Sequence, residues 1–138
     1  MDIPLNYLAI LASAVAAMAI GAFWYSPFGF GKPWIRLMGL SGMTMTPEAK
    51  RKMQVSYALM FVGLLVTAYV LAHFVYITVV ITLSEAFILG FWVWLGFIAP
   101  VMLGMVLWEN RPWTLYLINV SYQLVNILVM SAILTLWV

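Results

Sequence analysis

The sequence predicts an all-α integral membrane protein: a bundle of four transmembrane helices with a short interfacial helix after the first span. Of the 138 residues, 67% are hydrophobic and only 7% are charged. Soluble domains average about 25% charged residues. The apolar residues also fall into four stretches near the length of about 20 residues that a helix needs to cross a bilayer. A single domain, residues 1–138, accommodates all four spans.

The charge and the cysteine content exclude several classes of function. Six basic and four acidic residues give a net charge of +2, which is too little for a surface that follows nucleic acid phosphates. The chain has no cysteine, and this excludes disulfides, thiolate metal sites and thiol catalysis. We therefore expect no nucleic acid partner.

The first span is predicted over residues 4–24. No basic segment precedes it, so we expect a retained span and not a cleaved signal peptide. Small residues recur at every fourth position and share one helical face, which lets a second helix backbone approach closely. This predicted packing face consists of Ala9, Ser13, Ala17 and Gly21. The alternative is that alanine is present here only because it is a good helix former.

A boundary sequence and a short surface helix follow the first span. Trp24 and Tyr25 suit the headgroup region, and Pro27 disfavours helix at the residue before it. Residues 33–39 are predicted to form an interfacial helix, with Pro33 in its first turn and Gly39 at its end.

The second span is predicted over residues 54–74, within a helix that begins in water. Thr46 fits the N-cap of that helix, Pro47 its first position, and the acidic Glu48 its first turn. A turn is then required near residues 75–83, because the uninterrupted apolar run is about twice as long as a bilayer is thick.

The third and fourth spans are predicted over residues 83–107 and 113–137. Thr82 and Glu85 have the spacing of a capping box at the start of the third span. Pro100 predicts a kink within it.

The basic residues predict the orientation of the chain. All six lie in the first and third connections: Lys32, Arg36, Lys50, Arg51, Lys52 and Arg111. The positive-inside rule then places these connections in the cytoplasm and both termini outside, with the multi-pass chain in the inner (plasma) membrane.

A polar stripe lies on the fourth span, where four residues at helical spacing share one face: Asn119, Tyr122, Gln123 and Asn126. Amides in hydrocarbon require partners, so the stripe should face the interior or another subunit. It either lines a path for an ion or small molecule, or it joins helices by hydrogen bonds of about 0.6 kcal/mol each.

A second candidate group lies at the outer ends of the spans. If adjacent helices pack as hairpins, Asn6, His73 and Glu85 come close together, and ionisable groups at membrane depth often mark proton or ion pathways. The alternatives are that Glu85 only caps its helix and that His73 lies in the polar interface. One histidine and one glutamate are too few for a metal site, so we expect no metal and no cofactor.

Several short motifs together resemble one family. They are Asn6-Tyr7-Leu8, Trp24-Tyr25-Ser26-Pro27, Phe30-Gly31-Lys32, Trp34, Ala72-His73-Phe74, Gly90-Phe91-Trp92, Trp94-Leu95-Gly96-Phe97, Arg111-Pro112-Trp113 and Ile118-Asn119. In this order they are similar to a bacterial family of small membrane proteins known as domain of unknown function 1761. The resemblance covers nearly the whole chain. It implies four spans and a membrane location, and it supplies no activity.

The functional expectation is a non-enzymatic structural or binding protein in contact with membrane lipid. We expect it to self-associate as a homo-oligomer or as a subunit of a membrane complex. The rival hypothesis is a small transporter or channel for a proton, ion or small molecule, using the fourth-span stripe with His73 and Glu85. A membrane enzyme is the third choice, because the sequence shows no nucleophile–base pattern.

Overall fold

The computed structural model describes residues 3–40, 42 and 46–137. Within these ranges the regular structure is entirely helical. Four segments are long and apolar enough to cross a membrane, and this confirms the predicted fold class. The helices are α1 (Tyr7–Trp24), α2 (Gly31–Leu37), α3 (Pro47–Ile77), α4 (Leu83–Phe97), α5 (Ala99–Met102), α6 (Gly104–Leu107) and α7 (Trp113–Leu136).

Helix α1 begins with a side-chain cap. The Asn6 side-chain oxygen accepts a hydrogen bond from the Ala9 N–H at 3.1 Å, so the helix begins at Tyr7. The Asn6 amide nitrogen also donates to the Trp137 carbonyl at 3.1 Å, beyond the end of α7. One side chain therefore joins the beginning of α1 to the end of α7.

A tight turn places α2 directly beneath the end of α1. A Cβ at Gly31 would collide with the carbonyl oxygens of Tyr25 and Ser26, so only glycine fits there. Helix α2 begins at Gly31, two residues before the predicted start, and Pro33 still lies in its first turn. Proline is tolerated there because the first N–H groups of a helix have no partner within it. Gly39, with a φ of 73°, follows the helix end.

Helix α3 begins as predicted. The Thr46 side chain accepts a hydrogen bond from the Ala49 N–H at 3.1 Å, and Pro47 occupies the first turn. The helix runs to Ile77, slightly beyond the predicted span. The turn that follows contains Val79 at a φ of 56°, a conformation that is unfavourable for a β-branched residue.

The capping box at the start of α4 is confirmed. The Thr82 hydroxyl accepts a hydrogen bond from the Glu85 N–H at 3.2 Å. One Glu85 carboxylate oxygen accepts from the Thr82 N–H at 3.2 Å and from the Ile81 N–H at 2.9 Å. One oxygen of the Glu85 carboxylate therefore caps the start of its own helix.

The third membrane segment is interrupted where the sequence predicts a kink. Helix α4 ends before Ile98, and a second break at Leu103 separates α5 from α6. Pro100 causes the first break because it lacks an N–H and crowds the preceding turn. At the second break the Leu103 N–H donates to the Pro100 carbonyl, so the Ala99 carbonyl is left to accept a hydrogen bond from the buried Tyr116 hydroxyl of α7 at 2.9 Å.

Helix α7 is the central element. It packs against α4 and α1 along most of its length and also contacts α3, whereas α1 packs against α3. Helices α3 and α4 barely touch each other, although only a short turn joins them. A space therefore remains between α3 and the α4–α6 segment, with α7 as its floor.

Candidate functional site

Two members of the α7 stripe hold α1 in place. The Tyr25 hydroxyl donates a hydrogen bond to the Asn119 side-chain oxygen at 2.7 Å, and the Tyr122 hydroxyl donates to the Ala17 carbonyl at 3.3 Å. Burial, with Tyr122 alongside, raises the pKa of Tyr25 well above its usual value, so that hydroxyl remains a donor. Asn119 and Tyr122 thus have partners within the chain.

The stripe also borders open space: Asn119, Tyr122 and Gln123 line a wider cleft, and Gln123 and Asn126 line a deeper pocket. A cleft of about 660 Å³ lies at the end of the molecule that carries the basic connections, and we call it the mouth cleft. Gln123 forms part of its floor, and the first and third connections border it. Its lining includes Tyr25, Trp34, Met60, Met105, Arg111 and Gln123.

A smaller space of about 310 Å³ lies deeper, between α3 and the interrupted segment, and we call it the inner pocket. Met102 and Gln123 line both spaces, so the mouth cleft and the inner pocket adjoin. Asn126 lies in the floor of the inner pocket, and Thr67 of α3 lies in its wall. The two spaces together lead from the basic end of the molecule to the middle of α7.

Asn126 is the deepest polar group of this site. Only 1% of its surface is exposed, and neither its amide nitrogen nor its oxygen has a hydrogen-bond partner among the described residues. The Tyr122 hydroxyl, one turn earlier, donates its hydrogen to the Ala17 carbonyl, and its oxygen can accept one hydrogen bond from the Asn126 amide. Asn126 therefore keeps its oxygen and at least one donor hydrogen without a partner beside the inner pocket.

The small residues of α1 lie in the interior of the molecule. Ala9, Ser13 and Ala17 are fully buried. A Cβ at Gly21 would lie 2.6 Å from the Tyr122 hydroxyl, so the last position of this face meets α7 closely. The face allows α1 to approach α7 and α3, which is the geometry that small residues permit in lipid.

The structure does not bring Asn6, His73 and Glu85 together as a shared site. Asn6 caps α1, and Glu85 caps α4. The His73 ring nitrogen Nδ1 lies 2.8 Å from the Tyr69 carbonyl of its own helix. The prediction assumed a packed α3–α4 hairpin, and these two helices diverge instead.

Metal ligands are not grouped in the part of the chain that the structure describes: no three histidine or carboxylate side chains come together there.

Sequence analysis missed a set of aromatic donors that hold α7 in place. The Trp24 indole N–H donates to the Ile118 carbonyl at 3.0 Å, and the Trp94 indole N–H donates to the Val120 carbonyl at 2.8 Å. The sequence predicted Trp24 as a boundary aromatic and indicated no partner for Trp94. The tryptophan side chains themselves could have indicated these hydrogen bonds, because a buried indole N–H requires an acceptor.

The comparisons with known proteins agree with the resemblance. The family described as "Protein of unknown function (DUF1761)" matches residues 8–135. The chain belongs to this family. The match includes all but the first residue of α1, all but the last residue of α7, and every residue of the stripe. No curated protein and no solved structure matches the chain.

Membership of the DUF1761 family establishes no activity, so the site itself must indicate the function. Its polar groups are amides, phenols, one guanidinium and the carboxylate of Glu109, and its walls are largely methionine and aromatic side chains. Such a lining resembles small-molecule sites, which are mostly apolar with a few placed polar groups and occupy about 300–1,000 Å³.

Proposed function

We propose that this chain is a non-enzymatic integral membrane protein that binds a small molecule in the mouth cleft and inner pocket. The observation that carries the proposal is the unpartnered amide of Asn126 beside the inner pocket. A buried polar group without a partner costs about 1–3 kcal/mol, so a ligand that pairs with it gains binding energy.

Asn126 differs from the other buried polar side chains without a partner among the described residues, which are Ser13, Ser131 and Thr135. A hydroxyl in a helix can turn toward the carbonyl four residues earlier, as Thr67 and Thr78 do at 3.1 and 2.6 Å. The Tyr122 hydroxyl, four residues earlier, can accept only one of the two donor hydrogens of the Asn126 amide, and it cannot serve the amide oxygen because it donates to Ala17. Asn126 therefore needs a partner from outside its own helix.

The chemistry of the lining favours binding over catalysis. Asn119, Gln123 and Asn126 are amides, which neither take up a proton nor act as nucleophiles near neutral pH. Tyr25 stays protonated because burial raises its pKa. These groups can orient a ligand by hydrogen bonds, and this supports a non-enzymatic function.

The test is to identify small molecules that copurify with the protein. Wild type, Asn126→Leu and Ser131→Ala are purified in a neutral detergent, and the extracts are compared by mass spectrometry. We expect a compound in wild type and Ser131→Ala that is strongly depleted in Asn126→Leu. Ser131 is the matched control, because it is equally buried and unpartnered and does not line the inner pocket.

Equal content in all three proteins, or no bound compound in wild type, would contradict the proposal. Native mass spectra of the same samples report the number of chains in each particle. They therefore also test the proposed self-association.

A small transporter is the second candidate, and the interrupted third segment favours it. Broken helices in membrane proteins occur where the backbone lines a cavity, and in many transporters they form the substrate site. Here Ile98 lies at the first break and lines the inner pocket. Flux of the identified compound into proteoliposomes would support transport, whereas binding without flux would favour the first candidate.

We further propose that both basic connections face the cytoplasm and both termini face outside, in the inner membrane. Trp34 of the first connection and Arg111 of the third line the same cleft, so both connections lie at one end of the molecule. All six basic residues belong to these two connections. Alkaline phosphatase fused after Val138 should be active, and a fusion after Gly42 should be inactive. The reverse pattern would contradict this orientation.

A further inference from the structure

The mouth cleft has a cation at its edge. Arg111 is exposed there, and its backbone N–H donates to the Met105 carbonyl at 2.9 Å, which fixes the connection against α6. Glu109 borders the same cleft. The first and third connections carry all six basic residues of the chain but only Glu48 and Glu109 as acids, so this end of the molecule is positive.

The wall between the cation and the amides is apolar and adaptable. Four methionines, Met38, Met60, Met102 and Met105, line the mouth cleft. Methionine side chains are flexible and polarisable, and they fit apolar groups of irregular shape. The cleft therefore suits a ligand with a long apolar part.

The inner pocket opens sideways toward the hydrocarbon of the membrane. Its rim includes Phe97 and Val101, whose surfaces are 68% and 74% exposed. The opening exists because α3 and α4 diverge and leave α7 uncovered between them. A molecule dissolved in the bilayer can enter the inner pocket, beside Asn126, by this route without passing through water.

We infer that the ligand is an elongated anionic amphiphile of the bilayer. Its anionic group lies at Arg111, its chain follows the methionines, and a neutral hydrogen-bonding group further along the chain meets Gln123 and Asn126. This inference rests on the proposed binding function. Gln123 lies within the same cleft as Arg111, but Asn126 is far from it, since α7 rises roughly 20 Å between Trp113 and Asn126 at 1.5 Å per residue. A compact, water-soluble anion cannot span that distance.

Three probes with the same chain length separate the two ends of the site. Palmitate has only the anion, ω-hydroxypalmitate has both polar groups, and methyl ω-hydroxypalmitate has only the hydroxyl. Binding to the full-length protein in phosphatidylcholine nanodiscs is measured at alkaline pH, where the carboxylates are ionised. Wild type should bind ω-hydroxypalmitate most tightly.

Two variants then test the two ends of the site separately. Arg111→Gln should weaken ω-hydroxypalmitate binding about five-fold, the factor expected for one basic residue at a membrane surface, and should leave the methyl ester unaffected. Asn126→Leu should weaken ω-hydroxypalmitate about five-fold, to the level of palmitate, because it removes one hydrogen bond. Lys52→Gln is the control, because Lys52 is a basic residue of the same end that does not line the cleft.

The outcomes distinguish the inference from the function on which it rests. If Arg111→Gln and Lys52→Gln affect ω-hydroxypalmitate equally, the anionic class is wrong, while an effect of Asn126→Leu would still support binding. If Asn126→Leu changes the affinity of none of the three probes, the inference fails at its deep end, and the copurification experiment decides separately whether the proposed binding function fails. If the three probes bind wild type equally, the inference is overturned at both ends.

Discussion

The four residues of the α7 stripe share one helical face, but its two halves have different surroundings. The first pair is Asn119 and Tyr122, and the second pair is Gln123 and Asn126. The first pair is hydrogen-bonded to α1 and its boundary, at 2.7 and 3.3 Å. Asn119, Tyr122 and Gln123 all line the mouth cleft, but only the second pair lines the inner pocket, and the Asn126 amide has no hydrogen bond within 3.5 Å among the described residues. A single amphipathic pattern therefore serves both helix association and a binding site, depending on which helix lies opposite.

The contact of α1 with Asn119 and Tyr122 should be the more sensitive of the two regions to a steric change. Ala17 is fully buried where α1 packs against its neighbours. Ala17→Leu should lower the free energy of unfolding by about 1–3 kcal/mol, because overpacking forces the helices apart. Thermal unfolding in detergent measures this. Ala19→Leu is the matched control, since Ala19 is exposed on the same helix. Equal stability of both variants would show that α1 does not depend on close contact with α7.

Loss of the Tyr25–Asn119 hydrogen bond tests the same contact of α1 with α7 and should have a smaller effect. Tyr25→Phe removes the donor and leaves the Asn119 oxygen unsatisfied, which should cost about 1 kcal/mol. A melting temperature below that of wild type is the expected result. Tyr7→Phe serves as the control, because Tyr7 is exposed. If the two variants melt alike, the Tyr25 bond contributes nothing to the association of α1 with α7.

The capping box of α4 is a second group of polar side chains with partners within the chain. Its variants should have the smallest effects on stability. Thr82→Ala should cost about 1 kcal/mol as a lost N-cap. Glu85→Gln should cost less, because a glutamine oxygen can accept the same N–H groups of Ile81 and Thr82. Thermal unfolding of both variants is the measurement. A larger loss for Glu85→Gln than for Thr82→Ala would show that the charge of Glu85 has a role besides capping.

Local sequence signals predicted the helix starts well. The caps at Thr46 and Thr82 depend on side chains within three residues of each other, so sequence alone is sufficient. The composition likewise predicted the four apolar helices. Pro100 predicted the interruption for the same local reason, since it cannot supply an N–H.

The arrangement of the site was not predictable, because it depends on which helices pack together. Sequence neighbours such as α3 and α4 were expected to form a hairpin, and the proposed grouping of His73 with Glu85 relied on that assumption. The two helices diverge because α7, the last helix in the chain, packs against α4 and α1. Likewise, nothing near Asn119 in sequence indicates Tyr25 as its partner, which lies 94 residues away.

The most direct test of this account compares the thermal stability of Asn119→Leu and Asn126→Leu in the same detergent. Asn119→Leu should melt below wild type, because it leaves the buried Tyr25 hydroxyl without its acceptor, at a cost of about 1–3 kcal/mol. Asn126→Leu should melt at or above wild type once bound compounds have been removed, because it replaces an unpaired buried amide with an apolar side chain of similar size. If Asn126→Leu melts as far below wild type as Asn119→Leu does, Asn126 is an interhelical contact, and the binding site proposed around it does not exist.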